Sequence, residues 1–228
     1  SHVITDLDEV HEDVEYRKQG NLDLYSEDNL KKRVAMQENT YMIALTQRLW
    51  QTAIKGGSQK LCYPEYEAFM LRLHRLILPE FDYNGSKRLI QDDWTRDTDG
   101  RDHLDYRFFH FSMFELVDLW TDTVDSEDYI SLLYCIMHSL MYEFNDKYQL
   151  RSLEDIAPVD VLKASKNVTK EEIEKDLKKE VTSDSAQMYR RQILDGDNAD
   201  KHNDVHTQQP AEEEDEVSSR MKRSGKAL

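Results

Sequence analysis

Glycine and proline are scarce, 7 and 4 residues in a chain of 228. A protein built of strands needs turn residues at every reversal, so this shortage points to helices. Cysteine is scarcer still. Cys62 and Cys135 are too few for a disulfide framework, and each sits in an apolar, helix-like context that suits a reducing compartment. No apolar run reaches the roughly eighteen residues that a membrane-spanning helix needs, so no membrane partner is expected. Ser1 to Glu9 carry acids and no apolar stretch, so no secretory leader is expected there. Net positive charge is also missing: Asp and Glu number 46 against 30 Lys and Arg, a formal charge of −16. Such a chain repels phosphate backbones and anionic headgroups, which excludes general binding to nucleic acid.

Motifs for chemistry are absent too. There is no phosphate-binding glycine loop, no dinucleotide fingerprint and no Gly-x-Ser-x-Gly elbow. None of the eight histidines forms a His-Glu-x-x-His pair; His202 and His206 are spaced for one helix turn but lie in a polar tail. Cys62 and Cys135 have no base partner in sequence that would activate a thiolate. No catalytic residue and no cofactor are therefore expected, and the chain reads as non-enzymatic.

What the chain does have is helical periodicity. Residues 1–25 form an acidic arm. Ser26 suits an N-cap, and Leu30, Val34, Tyr41, Met42, Leu45 and Leu49 predict one long helix to about Ile54, stopped by Gly56-Gly57. A second helix opens at Pro64 and carries Tyr66, Phe69, Met70, Leu73 and Ile77. After a break at Tyr83-Asn84-Gly85, Ser86 opens a shorter helix through Trp94, followed by a polar segment from Arg96 to Asp102. Two further apolar helices follow, from near Asp105 to Trp120 and from Asp125 to Phe144. Residues 26–150 hold nearly all the aromatics and predict an all-α bundle. Residues 151–228 read as a long polar, charged extension with short helices. Its apolar face (Val168, Ile173, Leu177, Val181) is thin, so a partner is expected to order it if anything does. Near its end an acid run at 212–216 precedes a basic cluster, Arg220, Lys222, Arg223 and Lys226, suited to an acidic protein surface such as tubulin, with a solvated tail as the alternative.

Two places have the layout of a calcium loop without its ligands. A working loop places oxygen ligands at positions 1, 3, 5, 7 and 9, an apolar bridge residue at position 8 and a bidentate Glu at position 12. With Leu61 as the bridge residue, Glu65 takes the final position, but Ile54, Gly56 and Ser58 stand where ligands should be. In the second place two registers are open. With Gly100 as the central glycine, the loop would run from Thr95 to Tyr106. With Leu104 as the bridge residue, Asp97 and Asp99 fall on ligand positions, Arg101 on a third and Phe108 on the last. Both lack the bidentate Glu. Asp93, Asp97 and Asp99 are the residual metal candidates; a solvated acidic turn is the alternative, and no metal is expected. Leu61 and Leu104 are expected to keep the bridge between the units.

Asp92-Asp93-Trp94, Asp99-Gly100, the run Phe114 to Thr121 (Phe-Glu-Leu-Val-Asp-Leu-Trp-Thr) and Asp128-Tyr129 resemble a segment of EF-hand-like proteins of motile cilia and flagella, especially in protists. The resemblance covers about a third of the chain. It implies a degenerate EF-hand pair at the centre of the bundle. It also implies a structural component of the ciliary or flagellar axoneme, in the cytoskeleton, with tubulin and other axonemal proteins as partners. A calcium sensor, or a regulatory subunit of a kinase or phosphatase, is the competing expectation.

Overall fold

The structure, a computed structural model, describes residues 26–55 and 57–203, with 195–203 described as backbone only. The described residues are mostly helical: α1 Glu27–Gln37, α2 Thr40–Ala53, α3 Tyr63–Ile77, α4 Tyr83–Thr98, α5 Tyr106–Trp120, α6 Ser126–Leu140, a hairpin of β1 Met141–Phe144 and β2 Lys147–Leu150, then α7 Val161–Ser165, α8 Lys170–Asp176, α9 Lys178–Thr182 and α10 Asp184–Asn203. None of the helices is long and apolar enough to cross a membrane. One compact unit ends at Ile193 and a second begins at Leu194; of the second, only the α10 backbone to Asn203 is described.

The expected long helix from Ser26 to Ile54 is two helices. Ser26 caps the first, accepting from the Asn29 amide at 3.4 Å. Asn39 then restarts the chain: its side-chain oxygen accepts from the amides of Tyr41 and Met42 at 2.9 and 3.4 Å. A short side chain that pairs with its own backbone competes with helix continuation, so Asn39 acts as an N-cap. Asp82 does the same for α4, accepting from Asn84 and Gly85. That helix therefore takes in the expected break, beginning at Tyr83 instead of Ser86, and runs through Thr98. The last apolar helix is shorter than its periodicity predicts. It ends at Leu140, because Asn145 and Asp146 both adopt positive φ (54° and 58°) and turn the chain into a hairpin pairing Met141 with Leu150.

The core is a single cluster of aromatics and aliphatics, drawn mainly from α2 to α6. Trp50, Tyr66, Phe69, Tyr106, Phe109 and Tyr129 are its largest fully buried side chains. Trp50 meets Phe109 with ring centroids 5.5 Å apart, and Phe69 meets Phe109 edge-on at 5.4 Å. Such offset pairs add to the burial of area.

The boundary expected at residue 150 does not divide the fold. Ile156, Val161, Ile173, Leu177, Tyr189 and Ile193 join the same buried cluster. Backbone carbonyls of 151–156 are held from α3: Arg72 donates to Arg151 O at 2.7 Å and Arg75 to Ile156 O at 3.2 Å, while the Val159 amide donates to Leu76 O. The thin apolar face of this segment suffices because α2, α3 and α6 supply the other wall. The acidic arm 1–25 lies outside the described residues.

Candidate functional site

Two helix–loop–helix units face each other, α2 with α3 and α4 with α5. The loops between their helices meet at Leu61 and Leu104. These residues form an isolated antiparallel bridge, each amide donating to the other's carbonyl at 2.9 Å. Both side chains are fully buried. The bridge selects the register in which Leu104, not Asp102, is the partner of Leu61.

In the first loop the Glu65 carboxylate caps a helix. Glu65 accepts from the backbone amide of Cys62 at 3.0 Å, in the manner of a capping box at the start of α3. Ser58 closes the loop on itself, donating to Lys60 O and accepting from the Lys60 amide.

The second loop encloses a cation of its own. Arg101 donates from Nε to Thr98 O at 2.8 Å and lies 3.8 Å from a carboxylate oxygen of Asp105. Its guanidinium carbon is 3.4 Å from the centroid of the Phe108 ring. Thus the two side chains that the expected calcium-loop register with Leu104 as bridge residue puts at its third and last ligand places lie one across the other. Asp105 meanwhile accepts from the Phe108 amide and caps α5. Asp99 and Gly100 make the reversal after α4, with φ of 50° and 76°.

The three metal candidates are placed apart in role. Asp93 and Asp97 lie on α4 rather than in a loop. Asp93 accepts from Arg96 at 2.8 Å. Asp97 accepts from the Tyr66 hydroxyl at 2.8 Å, tying α4 to α3. Burial pushes the Asp97 carboxyl above its usual range, against the pull of Tyr66 and Arg96. Burial, with Asp97 and Asp93 nearby, also raises the Tyr66 phenol. Asp99 is exposed at the reversal. Among the described residues no group of three His, Cys, Asp or Glu side chains is arranged to hold a metal ion. The basic cluster Arg220, Lys222, Arg223 and Lys226 lies outside the described residues.

Three polar clusters were not legible in the motifs. Arg48 is 3 % exposed and is held by Asp176 at 2.8 Å and Glu180 at 2.6 Å, across more than 120 residues of chain. Its signal was the one charged residue inside the otherwise uncharged stretch Thr40–Ala53. Arg33 forms a two-pronged pair with Asp118, which also accepts from the Tyr129 hydroxyl at 2.6 Å, joining α1, α5 and α6. His110, fully buried on α5, is bracketed by Gln37 O at 2.9 Å from Nε2 and by Thr46 Oγ1 at 2.8 Å from Nδ1. A carbonyl only accepts, so Nε2 carries the proton and Nδ1 accepts from the Thr46 hydroxyl. The Thr46 hydroxyl also lies 2.8 Å from the Tyr106 hydroxyl, which donates to Ile43 O at 3.1 Å. Burial drops the His110 pKa to about 4, so the ring is neutral.

The Cys135 thiol is raised by burial and by Glu172, the opposite of nucleophile activation. The polar clusters tie helices together; none presents a nucleophile with a general base. Comparison with family models, with curated proteins and with solved structures finds no match to this chain.

Proposed function

We propose that this chain is a non-catalytic interaction protein whose core is a degenerate EF-hand pair, and that it serves as a structural component of the ciliary or flagellar axoneme. The observation that carries the first part is the Leu61–Leu104 bridge, with Arg101 laid over Phe108 in the second loop. A guanidinium in place of a ligand carboxylate removes both the negative charge and the room that a divalent cation requires. Ion binding then has no part in holding the helices, which apolar packing secures instead. The axonemal part rests on the resemblance of the Phe114–Thr121 run and its flanks.

Two measurements test the two parts separately. Calorimetry with calcium should give no micromolar binding, and the melting temperature should be the same in calcium and in chelator; micromolar binding would make the chain a calcium sensor and overturn the first part. Tagged protein expressed in a ciliated cell should stay with detergent-extracted axonemes and resist moderate salt. A wholly cytosolic distribution would overturn the second.

A further inference from the structure

Residues 168–193 make an unusual wall of the core. They are strongly charged, yet Ile173, Leu177, Ala186, Tyr189 and Ile193 are buried. Their helices are short: α8 has 7 residues and α9 has 5, joined at Leu177, through which the helical hydrogen bonds continue, and ended at Ser183. Helices of that length do not persist by their own hydrogen bonds, so the surface beneath holds them. That surface belongs to α2, α5 and α6. Arg48 on α2 meets Asp176 and Glu180, one helical turn apart, and Gln47 donates to Ser185 at 3.1 Å. Tyr106 on α5 meets the ring of Tyr189 edge-on at 4.3 Å, and His138 on α6 lies 3.0 Å from Asp176.

The polar fit at this seam is incomplete on both sides. Gln47 Oε1 and Glu180 Oε2 are buried without a hydrogen-bond partner, although Gln47 is only 2 % exposed. A buried acceptor left unpaired favours any rearrangement that pairs it. Short helices, a clamp through one arginine and two orphaned acceptors describe an occupant whose polar fit to the trough is incomplete.

We infer that the trough formed by α2, α5 and α6 is a docking site for an acidic amphipathic helix of a partner protein, with residues 170–193 as its resident, displaceable occupant. Charge selects the partner. Arg48 is too deeply placed to be left unpaired, so the incoming helix must bring carboxylates at i and i+4, as Asp176 and Glu180 do. Apolar side chains one turn apart on the adjoining face replace Ile173 and Leu177. A neutral or basic helix would strand the guanidinium and is rejected. The inference rests on the protein-interaction reading above and is independent of ciliary placement.

The full chain and a synthetic peptide of its own residues 168–194 test it. In the D176N/E180Q chain the resident strap is loosened while the trough is intact. That chain should bind the unmodified peptide about ten-fold more tightly than the wild-type chain does, and a D176N/E180Q peptide should bind it about ten-fold more weakly than the unmodified one. Equal affinity of the two chains for the peptide would overturn the inference. Native-state hydrogen exchange on the wild-type chain decides independently of any variant's folding. Amides of Lys170–Thr182 should open together, well before those of α2 and α5; opening only with global unfolding would make the strap ordinary core and sink the proposal. A protein missing from axonemes that passes both tests loses its ciliary role and keeps this site.

Discussion

His110 shows how one buried side chain sets a property of the whole protein. Its ring is neutral in the fold, with Nε2–H given to Gln37 O and Nδ1 facing the Thr46 hydroxyl. Burial holds its pKa at about 4, below the ordinary value of 6.5 that the unfolded chain has. Above pH 6.5 both states are neutral and this group contributes no pH dependence. Below it the unfolded chain takes up a proton first, so stability falls, by about 1.4 kcal/mol per pH unit for this group. The fall levels off near pH 4, where the folded ring also protonates. Urea unfolding from pH 4 to 7 should show this slope, and His110→Gln should reduce it, leaving the share of His74, whose pKa burial also lowers. An unchanged slope in the variant would place the titrating group elsewhere. Arg48 poses the complementary residue-scale problem, a charge kept inside by two carboxylates. Its pairing partners stand far along the chain and were invisible to spacing, whereas the helix around it was plain.

At the scale of elements, the loops and turns decide where the helices stop. The Leu61–Leu104 bridge is short, but it closes both loops and buries both side chains completely. Leu61→Ala and Leu104→Ala should each cost about 3 kcal/mol in chemical denaturation. Because the two residues pair directly, the double variant should depart from the sum by more than about 0.5 kcal/mol; strict additivity would argue that the loops do not act together. In the hairpin, Asp146 takes a left-handed conformation at the second turn position, where glycine sits without strain. Asp146→Gly should therefore raise stability by about 0.5 kcal/mol, read as a shift in the denaturation midpoint. The bridge residues were legible because the two loops share one spacing pattern. The hairpin was not: Met141 and Phe144 continue a helical stripe, and only the Asn-Asp pair marks the turn. The break at Asn39 was missed for a similar reason, since apolar residues on both sides keep the helical period while a single amide side chain redirects the backbone.

The molecule as a whole depends on the segment after the hairpin. Residues 151–161 fasten to α3 and α6 through backbone carbonyls, Arg72, Arg75 and the buried Ile156 and Val161. Ending the chain after Leu150 should abolish cooperative thermal unfolding and increase binding of apolar dyes, because that wall of the core is lost. Ending it after Asn167 should preserve a cooperative transition at a lower melting temperature. If the shorter product melts like the full chain, the core does not include residues 151–161. Composition had suggested the opposite, since a charged segment with four apolar positions buries too little on its own.

By itself the sequence determined what is local: helices from 3.6-residue spacing, caps from serine and aspartate, and the Leu61 and Leu104 positions. Each of these depends on side chains within a few residues of one another. Only the tertiary structure decided that Arg48 pairs with Asp176 and Glu180, that Arg101 lies over Phe108 within its loop, and that residues 151–193 close the core. The physical reason is that a polar or thinly apolar segment becomes stable when another surface supplies its missing half, and sequence spacing carries no record of which surface that is.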